Sequence, residues 1–167
     1  LNGDELLPCR QFLDTVKSLY AAREQEQFEG RDTLHAEIDS LDPCKALRDD
    51  LHRSIASDGG IQDEASEDLA AMRRRIRHLE SEIQDRLNRM LRRRDMAQVV
   101  QEQFVTLRNN RFVIPIKREM KSRCRGIVHD HSDTGRTLFI EPSQTLPLGN
   151  ELVDLRLDER DECIRIL

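Results

Sequence analysis

The sequence predicts an α+β protein, mainly α, with an antiparallel helical base, a long two-helix coiled-coil arm and a small antiparallel β-sheet at the arm's tip. Three observations carry that expectation. Bulk is scarce: 37% of the 167 residues are hydrophobic, 4% aromatic, none is tryptophan, and 35% are charged, whereas a compact ball of this length would bury more. Leu69, Met72, Ile76, Leu79, Ile83, Leu87 and Met90 recur in alternating steps of three and four, the narrow apolar stripe of a coiled coil. From Phe104 onward the period becomes that of strands, in FVTLRNNRFVIPIK and in GIVHDHSDTGRTLFIEP.

The first third, residues 1–64, reads as a helical core segment. Asp4 can cap a helix that has Pro8 near its opening and Phe12, Leu13, Val16, Leu19 and Tyr20 on one face, with Gly30 as its stop. Leu34, Ile38 and Leu41, then Leu47, Leu51 and Ile55, form a second series, interrupted at Asp42-Pro43, where the chain must bend or start a new helix. Ser57-Asp58-Gly59-Gly60 is a turn signal. The next segment, residues 65–103, is the outgoing arm, capped by Asp63 or Ser66; a helix running to Gln103 would be roughly 60 Å long at ~1.5 Å per residue. A helix of that length needs a partner, and Leu148, Leu152, Leu155 and Ile166 in the returning segment 147–167 supply a matching stripe, weakened by Glu159 and Glu162. Between them, residues 104–146 form two strand pairs. One turns at Asn109-Asn110, since asparagine tolerates the positive φ of a two-residue hairpin turn; the other turns at Ser132-Asp133-Thr134-Gly135 and closes at Glu141-Pro142.

Charge is unevenly spread along the chain. Residues 1–64 carry 7 Lys+Arg against 15 Asp+Glu, residues 65–125 carry 16 against 8, and residues 126–167 carry 4 against 9. A basic island between acidic flanks predicts an anionic partner for the middle third. Cys9, Cys44, Cys124 and Cys163 are widely spaced with no C-x-x-C pair, which favours a reducing cytoplasm over a disulfide framework. No apolar run approaches the roughly 18 residues of a bilayer span, so no membrane partner is expected. The start at Leu1 without an initiator methionine and the stop at Ile166-Leu167 within an apolar-periodic segment suggest an excised fragment.

The HDHS run at 129–132 concentrates reactive side chains without making a catalytic site. On a strand, His129 and His131 share one face while Asp130 and Ser132 point to the other, so the four cannot assemble a Ser-His-Asp relay. Two histidines on a strand face still lack a third metal ligand. The run is expected to be a polar hairpin that satisfies backbone groups.

Four strings, DGGIQDEASEDLAAMRRRI, RNNRFVIPIK, GIVHDHSDTGRTLFIEP and GNELVDLRLDERDECIRIL, resemble in series the second bacterial branch of the MutS mismatch-repair ATPases, the branch that usually carries a C-terminal Smr nuclease domain. The resemblance covers most of residues 55–167. Two departures stand out: Ser132-Asp133-Thr134-Gly135 replaces the family's S-x-S-G, and Gly149-Asn150-Glu151-Leu152 replaces N-N-E-L. The resemblance implies core and lever helices with the clamp at their end, an ATPase domain that follows in the parent, and a homodimeric parent using ATP and Mg²⁺. It also implies DNA as partner, including branched recombination intermediates, with ribosomal RNA as the alternative. No G-x-x-x-x-G-K-[ST] loop occurs in this chain, so no cofactor and no catalysis are expected of it.

Two classes of function follow for the basic island: a nucleic-acid clamp, or a coiled-coil structural or protein-interaction module whose charges only keep it soluble. On the arm, Glu82 with Arg86 and Asp85 with Arg89 are i,i+4 pairs, so those arginines read as a solvated face. The hairpin reads differently. A turn at Asn109-Asn110 sets Arg108 directly opposite Arg111, side by side in solvent on the face carrying Thr106, Val113 and Lys117, while Val105, Leu107, Phe112, Ile114 and Ile116 face inward. Facing arginines repel by a few tenths to ~1 kcal/mol unless an anion lies between them. Lys117, Arg118, Lys121, Arg123 and Arg125 follow closely, and these with Arg108 and Arg111 are the predicted nucleic-acid-binding residues, reading backbone and shape rather than bases.

Overall fold

The computed structural model describes residues 3–24 and 32–167. The chain divides into two compact units, one made of Leu1–Ala71 with Arg160–Leu167, the other of Met72–Glu159. The elements in order are α1 (Gly3–Glu24), α2 (Asp32–Ser40), α3 (Lys45–Ser54), α4 (Glu67–Leu91), β1 (Thr106–Arg108), β2 (Arg111–Lys117), β3 (Gly126–His131), β4 (Thr137–Pro142) and α5 (Leu146–Ile166). The protein is thus mainly helical with one small antiparallel sheet, as the sequence predicts. The cap expected from the Asp4 side chain and the stop expected at Gly30 lie outside the described residues.

In the first unit the break expected at Asp42-Pro43 separates α2 from α3. The Asp42 carboxylate accepts the Cys44 amide at 2.9 Å, and Cys44 adopts φ 38°, a left-handed conformation just before α3. Leu13, Leu51 and Ile55 form a small core with Leu6, Cys44 and Ile61 against it. The Gly59-Gly60 turn folds Ile61 back to bridge Ile55, with Gly59 at φ 84°. In this same unit Glu162, buried despite its charge, receives the Ser66 hydroxyl at 2.5 Å and both donors of Arg165.

In the second unit, Ile76, Leu79, Ile83, Leu87 and Leu91 of α4 are buried in one cluster with Phe112, Ile114, Ile116, Leu138 and Ile140 of the sheet and Leu152 of α5. The helical stripe therefore does cover a core. Helix α4 ends at Leu91 and does not run to Gln103. The reason lies in the next apolar residues: Met96, Val99 and Val100 are themselves buried, and the chain reaches them through tight i→i+3 turns from Met90 to Val99. Val100 then bridges Ile116, with Gln101 N–H donating to Pro115 at 2.9 Å and Lys117 N–H to Val99 at 3.0 Å. Those sheet hydrogen bonds replace the ones further helix would have made.

The sheet order is β1-β2-β4-β3. Asn109 and Asn110 both have positive φ, 50° and 61°, as a twist-matched two-residue turn demands, and Arg108 pairs with Arg111. Strand β2 is central, and its residues from Phe112 to Ile116 are buried on both faces. The β1–β2 turn also touches β3: the Asn109 amide donates to the His129 carbonyl at 2.9 Å, and Arg108 Nε lies 3.1 Å from Asp130.

Candidate nucleic-acid interface

The facing arginines are where the register predicts, but not side by side in solvent. Arg111 is drawn inward: Nε–H and Nη2–H form a fork on Glu141 at 2.8 and 2.9 Å, Nη1–H donates to the Gly149 carbonyl at 3.1 Å, and Nη2–H also reaches Asn150 Oδ1 at 2.8 Å. The Arg111 side chain is 14% exposed and that of Glu141 only 2%. His129 Nε2 sits 2.8 Å from the same carboxylate. Arg108 stacks over the Phe139 ring at 4.4 Å from its centroid and pairs with Asp130 while staying partly accessible. The repulsion expected across the hairpin is therefore relieved internally, by Glu141 for one arginine and by Asp130 and an aromatic face for the other. Asn150 lies inside α5, and its side-chain oxygen accepts from Arg111.

The HDHS run makes local contacts that alternation does not anticipate. A bulge between Val128 and Asp130 shifts the register, so that Asp130 pairs with Phe139 and His131 with Leu138. His129, at the bulge, reaches Glu141, while His131 is exposed. The shared face expected for the two histidines is lost, since a bulge breaks the two-residue period. Ser132 serves the turn: its hydroxyl accepts the Thr137 amide at 3.1 Å, and Gly135 at φ 68° completes the reversal.

The remaining predicted cations lie on the connection after β2. Lys117 ends that strand, and a short 3-10 helix spans Arg118–Arg123. Arg118 donates to the Gly135 carbonyl, and Cys124 is buried, its thiol pKa raised by desolvation. Anchoring at Cys124 leaves Lys121, Arg123 and Arg125 on the surface with no ion pair among the described residues.

The structure adds residues that the sequence reading assigned to a solvated face. A shallow cleft of about 540 Å³ is lined by Glu82, Arg86, Arg89, Met90, Arg93 and Gln144. A second, of about 250 Å³, shares Met90, Arg93 and Gln144 and adds Asp95, Ser122, Arg123, Arg125 and Ser143. The two form one groove in which five arginines meet two carboxylates. Glu82 answers Arg86 at 2.6 Å, and Asp95 takes a fork from Arg93 at 3.0 and 2.7 Å, which holds the Asp95 carboxyl below the usual range. Among the described residues Arg89 bonds only the Asp85 carbonyl oxygen, at 3.3 Å, so that within them Arg89, Arg123 and Arg125 have no carboxylate partner. The signal that could have found this groove is the spacing Arg86, Arg89, Arg93 on one helix flank. Further up α4, by contrast, Arg73 is paired with Glu159 at 2.7 Å, Arg75 with Glu151 at 2.5 Å, and Glu80 with Arg156 at 2.6 Å.

No family model matches the chain. Among curated proteins it is 40% identical over 164 residues to endonuclease MutS2 of Finegoldia magna, covering 97% of this chain and 21% of that protein. It is 36% identical over 169 residues to endonuclease MutS2 of Acetivibrio thermocellus, covering 100% and 21%, and 39% identical over 175 residues to that of Caldanaerobacter subterraneus, covering 100% and 21%. The chain is thus similar to MutS2 proteins over nearly its whole length. It spans about a fifth of the length of the MutS2 proteins it matches, and the similarity to MutS2 runs through both compact units. Among the described residues no helix is long and apolar enough to cross a membrane.

Proposed function

We propose that this chain is the core and clamp part of a MutS2-type ATPase of the Smr-bearing branch, and that it contributes DNA binding rather than catalysis. The observation that carries this reading is the arginine groove. Arg89, Arg123 and Arg125 converge from α4 and the β2–β3 connection without carboxylate partners among the described residues, beside Arg86 and Arg93, which each pair with a single acid, Glu82 half-buried and Asp95 exposed. Gathering like charges on a surface costs free energy that a phosphate backbone returns, with release of its counterions. The groove is shallow, and its polar groups are five guanidiniums with hydroxyls, an amide and the paired carboxylates of Glu82 and Asp95, a set that suits backbone and shape recognition. Arg108, Lys117, Arg118 and Lys121 extend positive charge along the same sheet and connection, whereas Arg111 belongs to the interior network. ATP and Mg²⁺ act in the parent's ATPase domain, and the homodimer of that parent supplies a second copy of the groove.

The test is competition at matched salt among duplex DNA, a four-way junction and ribosomal RNA. DNA preference supports the reading. Preference for ribosomal RNA transfers the groove to the ribosome, and binding of none of the three leaves the protein-interaction module as the better account.

A further inference from the structure

The opposite flank of α4 carries a pocket of different chemistry. Gln84 and Asn88, one turn apart, line a cavity of about 460 Å³ together with Gln103, Phe104, Leu107 and Phe112, a size within the range of small-ligand sites. At about 100° per residue, Gln84 stands roughly 200° around the helix from Arg86, so this pocket and the arginine groove are separated by about one helix width, some 10 Å. No charged side chain lines it. Its three side-chain amides make no hydrogen bond to protein among the described residues, and each offers a donor beside an acceptor. Phe112 is buried, but Phe104 is 39% exposed and Leu107 46% exposed, although both sit beside an apolar core that could have covered them. Exposing an aromatic ring next to unused amides has no use in packing.

We infer that this pocket receives an unpaired nucleobase, stacked on Phe104 and hydrogen-bonded along its edge by Gln84, Asn88 and Gln103, from a strand whose phosphates lie in the arginine groove; the inference rests on the nucleic-acid reading of that groove. The edges of nucleobases present adjacent donors and acceptors, which amide side chains match bidentately, and every base has a face that stacks on an aromatic ring. The lack of charge in the lining excludes phosphate as the recognised group and leaves that task to the arginines. An extended peptide adding to the edge of β1 is the competing occupant. That edge is only three residues long, which offers few main-chain hydrogen bonds and leaves the helix-borne amides without a role.

The experiment uses the whole chain and a single-stranded deoxyadenosine oligonucleotide carrying one 2-aminopurine, beside an abasic strand of the same length. Fluorescence quenching on binding and about tenfold tighter binding of the base-bearing strand are expected. Phe104→Leu, which keeps an apolar contact without the ring, removes that preference while duplex binding persists, and Gln84→Ala with Asn88→Ala reduces it by several-fold. Equal binding of the two strands with duplex binding intact overturns the inference, as does displacement of the strand by an uncharged β-type peptide. Loss of binding to duplex and single strands alike in the unsubstituted chain instead marks failure of the nucleic-acid reading itself.

Discussion

Replacing Glu141 by glutamine tests whether the Arg111 network holds the sheet together. The glutamate is 2% exposed at its side chain and receives two Arg111 hydrogen bonds at 2.8 and 2.9 Å with His129 at 2.8 Å. Glutamine keeps the shape but leaves a largely buried guanidinium facing a neutral amide, the Gly149 carbonyl and Asn150. Breaking one side of such a pair costs about 3–5 kcal/mol because the other charge stays buried. For a chain of this length each kcal/mol lowers Tm by about 2–4 °C, so the transition that melts the sheet should fall by about 6–20 °C. Arg111→Met should cost a similar amount. The double variant Arg111→Met/Glu141→Leu should recover much of the loss, since apolar replacement of a buried pair is often close to neutral, leaving it far more stable than the summed losses of the single variants would give. Thermal melts and urea midpoints of the four proteins provide the measurement. Single variants that each shift stability by less than about 1 kcal/mol, adding without coupling, would show the pair to be a surface-type bridge and refute the reasoning.

Two further outcomes follow from local geometry. Asn109→Ala should destabilise the sheet by about 1–2 kcal/mol, because alanine resists the left-handed φ of 50° and the hydrogen bond to His129 is lost, whereas Asn110→Gly should change stability by under about 0.5 kcal/mol; denaturant midpoints decide. Arg165 first, and Ser66 second, hold the Glu162 carboxyl at about 2, down from 4.5. Its folded pKa is depressed, so its stabilisation is present above about pH 4.5 and fades as pH falls toward 2. An acid titration followed by circular dichroism should show Glu162→Gln less stable than the parent near neutrality and less sensitive to acid within that window.

Much of the fold was legible in local pattern. The two-residue turn with positive φ at both asparagines, the register setting Arg108 against Arg111, and the buried stripe of α4 follow from periods of two and 3.6 and from turn chemistry. What was not legible depends on groups distant in sequence. Nothing near Glu141 announces that a carboxylate in a β-type run is buried, because its partner Arg111 lies 30 positions earlier and is brought to it by the β2–β4 pairing. The two-faced burial of β2 depends on groups brought against it from elsewhere in the chain, which alternation within one strand does not report. The end of α4 at Leu91 was hidden because Met96, Val99 and Val100 also fit helical spacing. The arginine groove escaped for the same reason as Glu141: Arg86 and Arg89 read as an ordinary solvated flank until the β2–β3 connection sets Arg123 and Arg125 near them.

The most direct measurement of the central claim is the salt dependence of duplex binding by the chain and by its Arg89→Ala/Arg123→Ala/Arg125→Ala variant. Each phosphate contact contributes about 0.9 to the slope of log affinity against log salt. If these three unpaired arginines grip the backbone, the slope should flatten by about 2.7 in the variant, with affinity reduced on every sequence, while Arg111→Met/Glu141→Leu, which alters only the interior, should retain the parent slope. An unchanged slope in the triple variant, with binding otherwise intact, would contradict the assignment of this groove as the nucleic-acid interface.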